Sequence, residues 1–351
     1  MALQVFLHIG TEKTGTTSLQ NFLTANRDVL IGSGILYPGT LGKKSNHVKL
    51  AIYAANRTRG LGARIGLKDD NDLVRFRNRT QAAFLEEVAM RQPDKIILSN
   101  EHCHSRLRTI EEIERVRSLL EKLTGRPKVV IYFRRQDRMA VSFYTTRLIA
   151  GHAPKTILPV SGMPSYYYDF LSIFENWARV FGPENIIPRI YRRDVDRSWD
   201  IVEDLRDLAS LPSGISYKRP AIANESLSVL GQEYVRTLNV LLKDAQEAAH
   251  KNKIQEFRRF LIRTCKGQGA RPAREDARRF YSNFIPSNAK LADKWRPSKV
   301  GHLFDDDFSM YPETADTLDK NVSDAMQLAS QFLLMQETSL KRPPSRRQEA
   351  E

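Results

Sequence analysis

The stretch Val5-Phe6-Leu7-His8-Ile9-Gly10-Thr11-Glu12-Lys13-Thr14-Gly15-Thr16-Thr17-Ser18-Leu19 decides how this chain folds. It opens as an apolar run with the character of a strand. A loop with a lysine between two glycines follows, and hydroxyl residues then lead into a helical spacing at Leu19, Phe22 and Leu23. A loop between a strand and a helix N-terminus turns backbone N–H groups toward one point. The helix dipole adds partial positive charge there, so the point suits a phosphate. Glycine lets the backbone approach an anion closely. Lys13 adds a mobile full charge, and Thr14, Thr16, Thr17 and Ser18 add hydroxyl donors.

The loop departs from the nucleoside-triphosphate pattern G-x-x-x-x-G-K-[ST] in a specific way. Gly10 and Gly15 have the right spacing, but Thr16 stands where the lysine belongs, and Lys13 precedes the second glycine. Lys13-Thr14-Gly15-Thr16-Thr17 resembles the 5′-phosphosulfate loop of sulfotransferases, which use 3′-phosphoadenosine 5′-phosphosulfate (PAPS). In that family the loop reads K-[ST]-G-T-T at the first strand–helix turn of the chain.

Downstream, apolar runs alternate with helical patterns. Lys95 to Leu98 reads as a buried strand, Val129 to Phe133 as a third and Ile186 to Tyr191 as a fourth, with Ile35 to Pro38 a short extended piece. Helical spacing covers Thr17 to Leu30, Leu73 to Arg91, Ile110 to Leu123, Arg138 to Ala150 and Tyr166 to Phe181. Such alternation predicts a parallel sheet with helices on both faces, and ligands beyond the carboxyl ends of its strands. Three polar clusters fall at those ends: Gly10 to Ser18, Ser99 to His104 and Arg134 to Ser142. Beyond residue 195 the pattern is mainly helical, at Leu227 to Ala248, Gln255 to Cys265, Asp276 to Phe284, Ser287 to Trp295 and Thr314 to Leu334. The reading is one α/β domain over 1–340, with a cofactor-binding core over 1–195, a helical acceptor-side cover over 196–340, and a flexible Pro- and charge-rich tail over 341–351. The resemblance implies a P-loop-like sulfotransferase fold.

Arg134 closes the third strand, and Ser142 follows eight residues later, two turns into the next helix. A guanidinium fork and a hydroxyl so placed can converge on one phosphate. The pair resembles the family's 3′-phosphate motif, with one departure: the acidic Asp137 lies five residues before the serine, not four. The family's late R-K-G phosphate loop is not recognisable; Lys218-Arg219 or Arg296 to Lys299 could stand in for it. Asn224-Glu225-Ser226-Leu227 and Ser287-Asn288-Ala289-Lys290-Leu291 resemble segments of bacterial members.

Sulfuryl transfer needs a base for the acceptor hydroxyl and donors around the transferring group. The resemblance puts the base at the end of the strand before the arginine strand, where Glu101 is followed by His102. Neighbours on extended chain face opposite ways; Glu101 is favoured, His102 is the alternative. Lys13 would assist the leaving phosphate. Tyr191, at the end of the fourth strand, falls where the family places a tyrosine near the adenine. The implied cofactors are PAPS as donor and adenosine 3′,5′-bisphosphate (PAP) as product, with no metal.

Composition agrees with an anionic ligand: 55 Lys and Arg against 41 Asp and Glu leave a net charge of +14. The resulting field attracts nucleotides, acidic glycans, nucleic acid or anionic lipid alike. No nucleic-acid module accompanies it, so no nucleic-acid partner is expected. The basic segment from Ala51 to Lys68 and Glu101 at the base position favour a glycan or glycolipid acceptor. Cys103 and Cys265 supply neither a disulfide framework nor a metal spacing. With no apolar leader or membrane span in the sequence, the expectation is a cytoplasmic, bacterial-type enzyme. Two other classes stay open: a P-loop kinase or NTPase, and a non-catalytic basic protein binding anions or nucleic acid.

Overall fold

Five parallel strands, β1 (Gln4–His8), β2 (Ile35–Leu36), β3 (Lys95–Ser99), β4 (Lys128–Phe133) and β5 (Ile186–Ile190), form one sheet in the order β2-β3-β1-β4-β5. The computed structural model describes residues 3–42, 45–58, 60–159, 165–220, 226–244, 247–295, 302–317, 324, 327–329 and 331–332. The expected parallel sheet flanked by helices is therefore present. Its inner strands are apolar on both faces because both faces are covered. Ile97, Val130 and Tyr132 pack under the helices Thr16–Ala25, Arg27–Ile31 and Ile201–Leu208, whose Leu19, Phe22, Leu23, Leu30, Ile201, Val202 and Leu205 complete that core. On the other face the helix Phe170–Phe181 covers β4 and β5, with Phe170 against Phe133 at a ring distance of 4.8 Å.

By residue contacts the chain divides into two units. The first comprises Met1–Met139, Ser161–Ala223 and Arg278–Asp307, and holds the whole sheet. The second comprises Ala140–Val160, Asn224–Ala277 and Phe308–Glu351. Within it the helices Val229–Asp244 and Ala248–Thr264 pack together around Val235, Phe260 and Leu261. Among the described residues no helix is long and apolar enough to cross a membrane.

Three local readings change. The first helix is not continuous from Thr17 to Leu30; it stops at Ala25 and restarts at Arg27. Asn26 is the cause: its side chain donates to Phe22 O (2.8 Å) and Lys218 O (2.9 Å) and accepts from Lys218 N (2.8 Å). The segment from Ala51 to Lys68, which showed no clear pattern, contains the end of the helix Val48–Ala54 and the short helix Leu61–Arg64. Residues 314–317 are not helical, although helix was expected from Thr314. The tail 341–351, Arg296 to Lys299 and Asn224-Glu225 lie outside the described residues.

Three histidines are buried and neutral. Burial holds His8 at about 3, His47 at about 3 and His104 at about 4, against an ordinary 6.5. His47 Nε2 lies 2.9 Å from Pro38 O while its Nδ1 accepts from Ser99 N at 3.1 Å, which assigns the proton to Nε2. An unfolded chain protonates these rings near 6.5, and the folded chain only near 3 to 4. The unfolded state therefore binds more protons in that interval, and stability falls as pH drops through it. Urea midpoints should hold steady from pH 8 to 7 and decline from about 6.5 to 4; a midpoint unchanged at pH 4.5 would contradict the neutral, buried assignment.

Candidate active site

The sheet's hydrogen bonds run past the end of β1 and carry the lysine loop with them. Ile9 N donates to Val130 O (3.0 Å), Tyr132 N to Gly10 O (2.6 Å) and Thr11 N to Tyr132 O (2.8 Å). On the other side Asn100 N donates to His8 O at 2.9 Å. The loop then turns sharply. Lys13 has φ 67° and Gly15 φ 79°, both left-handed. Gly15 is the N-cap of Thr16–Ala25, with no side-chain cap and no acidic residue in the first turn. Backbone N–H groups at that helix start are therefore not claimed by a capping side chain, which is the condition for holding an anion.

The predicted hydroxyl donors divide. Thr14 is buried and donates to Thr11 O at 2.6 Å, so its hydroxyl closes the loop. Thr16 is buried, Thr17 is exposed and Ser18 half-buried on the first turn. Burial holds the Lys13 ammonium at about 8; the nearby Arg134 charge pushes the same way, and Glu12 and Glu101 oppose it.

Arg134 and Tyr191 leave the ends of β4 and β5 and meet at this loop. Arg134 Nη1 donates to Lys13 O at 2.8 Å, and its guanidinium lies over the Tyr191 ring at 5.1 Å. Tyr191 is tied to the sheet through its N–H to Phe133 O at 2.8 Å. A Cβ on Gly15 would stand 3.4 Å from Tyr191 and 3.2 Å from Ile201, so the glycine is where the loop presses on both. Asp194, which carried no signal in the sequence beyond its charge, takes the fork of Arg134: Nε to Oδ2 at 2.7 Å and Nη2 to Oδ1 at 2.6 Å. Ser142 belongs to the second unit and is not among the residues the first unit assembles here.

Glu101 and His102 open the short helix His102–Arg106 at the end of β3. A Cβ on Gly10 would lie 3.3 Å from Glu101 Cα, so base candidate and lysine loop are neighbours. Glu101 is the N-cap position of that helix, yet its side chain does not cap. It accepts from Gln20 Nε2 at 2.6 Å and from Asn46 Nδ2 at 3.3 Å. Gln20 also donates to Ser99 Oγ at 3.2 Å, which bonds His8 Nδ1 at 2.8 Å. His102 instead faces Glu12, with Nδ1 3.7 Å from Oε1, beyond hydrogen-bond length.

Glu12 belongs to a buried polar cluster that sequence reasoning missed. Its carboxylate accepts from the Tyr167 hydroxyl at 3.1 Å, and its backbone N–H donates to His104 Nδ1 at 3.3 Å. His104 Nε2 reaches Tyr167 O at 3.0 Å. Burial works against ionisation of Glu12, but His102 and its other polar neighbours hold the carboxyl down at about 2. Among the described residues, no group of three or more His, Cys, Asp and Glu side chains is placed to hold a metal.

No protein-family model matches the chain, and no curated protein matches it. Among solved structures it is similar to a sulfotransferase from Alicyclobacillus acidocaldarius, at 15% identity over 75% of this chain and 97% of that one, with a TM-score of 0.40. What the site does is therefore argued from the residues of this chain.

Lys218 and Arg219, offered as stand-ins for the missing phosphate loop, are engaged away from it. Lys218 is bound through its backbone to Asn26, at the far end of the helix from the loop. Arg219 is ion-paired with Asp200 and Glu203 over the ring of Phe22. Asp137, whose spacing looked displaced, chelates the buried Arg135 at 2.8 and 2.9 Å. Asn288 exchanges side-chain hydrogen bonds with Gln136 at 2.8 and 3.1 Å, which fastens the helix Ile285–Trp295 beside β4's end.

Gly15→Ala tests the loop directly. A Cβ at φ 79° is strained and meets Ile201 and Tyr191, and the left-handed backbone alone costs about 1–2 kcal/mol. A urea titration should show a loss of at least that size; a neutral result would mean that the loop relaxes into another conformation.

Proposed function

We propose that this chain is a sulfotransferase, moving a sulfuryl group from PAPS to a hydroxyl on a glycan or glycolipid. One observation carries the reading. The uncapped, glycine-started helix behind Lys13 and the strand-end Arg134 are joined at a single point, Arg134 Nη1 on Lys13 O at 2.8 Å, with Glu101 and His102 on the neighbouring strand end. A cationic loop, a guanidinium stacked on a tyrosine and a carboxylate–imidazole pair around one strand-end crevice fit a nucleotide phosphate next to a proton acceptor.

In this reading the residues take these roles. The loop Lys13 to Ser18 would hold the 5′-side phosphate and sulfate through backbone N–H groups, with Lys13 supplying charge where it develops on the leaving phosphate. Arg134 would hold the 3′-phosphate, and Tyr191 would lie along the purine. When bound, PAPS supplies the activated sulfuryl group. Glu101 would take the acceptor proton, and Gln20 and Asn46, donating to its carboxylate, orient it. His102 beside Glu12 is the second candidate: a carboxylate facing Nδ1 would leave Nε2 to accept the proton.

Calorimetry tests the donor. PAP should bind without Mg²⁺ and far more tightly than ADP, and EDTA should not matter; equal affinity for Mg·ATP would turn the reading toward a kinase or NTPase. Lys13 is charged below about 8 and neutral above it. Affinity for PAP should therefore fall as pH rises from 7 to 9, with the midpoint displaced upward by the bound anion. Arg134→Ala alone would strand Asp194, so the informative variant is Arg134→Ala with Asp194→Asn. It should lose roughly 1.5–3 kcal/mol of PAP binding, the size of a charge-assisted contact.

Rates test the base. Glu101→Gln should lower turnover about 10²-fold or more with PAP binding intact, and His102→Ala should cost less. The reverse ranking, or a rate rising with pH through the imidazole range, would give the role to His102.

A further inference from the structure

We infer that Arg193 is a further donor-binding residue, the second guanidinium for the 3′-phosphate that Arg134 holds; the assignment rests on the sulfuryl-transfer reading above. The need for a second cation comes from how Arg134 is already engaged. Its Nε donates to Asp194 Oδ2 at 2.7 Å and its Nη2 to Asp194 Oδ1 at 2.6 Å, while Nη1 donates to Lys13 O at 2.8 Å. One edge of the guanidinium is therefore filled, and Asp194 balances its charge. A phosphate monoester carries about −1.5 to −2 at neutral pH. Against a balanced Arg–Asp pair such an anion meets little net attraction, and the Asp194 carboxylate repels it. Holding it takes a cation without a counter-ion of its own.

Arg193 is that cation. After β5 the N–H of Tyr191 is fixed to Phe133 O at 2.8 Å, and the chain then turns, with the N–H groups of Val195 and Asp196 both on Arg192 O at 2.9 and 2.8 Å. Arg193 stands in this turn between two residues that touch one group: the Tyr191 ring lies 5.1 Å from the Arg134 guanidinium, and Asp194 fills that guanidinium's fork. Its Cα is thus one residue, about 3.8 Å, from that of Asp194. Of the three arginines in the turn, Arg193 is half-buried, whereas Arg192 and Arg197 are exposed. Among the described residues the Arg193 side chain has no hydrogen-bond or ion-pair partner.

The carboxylates nearby are committed elsewhere. Asp194 is on Arg134. Asp196 accepts from Ser198 N at 2.9 Å and Ser198 Oγ at 2.6 Å. Asp200 accepts from Val202 N at 2.7 Å and lies 3.4 Å from Arg219. The Arg193 charge is nevertheless felt inside the crevice. Burial raises the Tyr191 hydroxyl, Arg134 and Arg193 both pull it back, and Asp194 and Asp200 act against them. A second guanidinium beside the first gives a phosphate two planar forks, which a single point charge does not. The pair would thereby select for the phosphate that distinguishes PAP from a nucleotide phosphorylated on its 5′ side alone.

The test compares PAP with AMP, which lacks only the 3′-phosphate, by calorimetry on the full chain without Mg²⁺. Arg193→Gln should weaken PAP about tenfold or more, as loss of a charge-assisted contact does, and leave AMP unchanged. Arg193→Lys should retain part of the preference for PAP, because the charge stays and the fork goes. Arg192→Gln, one residue away and exposed, should bind both nucleotides as the unmodified chain does. An Arg193→Gln chain that keeps the full preference for PAP overturns the inference and leaves the donor reading standing. So does one that loses PAP and AMP alike, since the arginine then acts on the fold or the 5′ side. If the unmodified chain binds PAP no better than AMP, the donor reading falls and the inference falls with it.

Discussion

The structure depends on a ladder that does not stop where its strand stops. Ile9, Gly10 and Thr11 continue the pairing of β1 with β4 through Val130 and Tyr132. A loop that began at the end of β1 without those bonds would carry several unpaired backbone groups and many conformations. Held by them, it has one path: Thr11 is pinned, Lys13 turns left-handed, and Gly15 delivers the chain into its helix. Each later feature of the site follows from where that leaves the Lys13 carbonyl, because Arg134 binds it and stacks on Tyr191.

Placing charge this close together has an electrostatic cost, and the chain balances it locally. Burial first, and then the like charge of Arg134 in the same crevice, hold the lysine near 8. Asp194 offsets the arginine by taking its fork, and Glu12 and Glu101 oppose the shift at Lys13. Glu12 stays ionised against its burial because its polar neighbours, His102 and Ser105 first, favour the carboxylate. His104 stays neutral because it is buried, against the opposing pull of Glu12 and the Tyr167 carbonyl. Preorganised charge of this kind stabilises a developing anion without further rearrangement.

Polar side chains on covered faces bind these pieces together. Gln20 is buried on a helix face otherwise made of Leu19, Phe22 and Leu23, and it reaches across to β3 at Ser99 and Glu101. His47 closes its own segment onto Ser99 and Pro38, while Asn100 returns a bond to its carbonyl. Asn26 ends one helix and docks residue 218 in the same act. Buried amides and imidazoles with every bond made are rigid, and here they hold the carboxyl ends of β1 and β3 in one register.

Much of this was readable in the chain. Period-two and continuous apolar runs named the strands, because a sheet covered on both faces must bury every residue it has. The polar clusters that follow those runs named the crevice, because in parallel sheets the loops after the strands share one edge. Glycine at positions 10 and 15 signalled a close backbone turn, as φ values of 100° and 79° require. What could not be read was which charge meets which. Asp194 on Arg134, Glu12 beside His102 and Gln20 on Glu101 are separated by 60, 90 and 81 residues respectively. No local spacing encodes such pairs; they arise only when the strands take the order β2-β3-β1-β4-β5 and bring their ends together. The sequence by itself determined the parallel sheet, the glycine-bounded lysine loop and the residue types at the strand ends, since those rest on local periodicity and backbone chemistry. The tertiary structure alone decided the partners and the protonation states, since those depend on distances through space and on how much water the fold excludes.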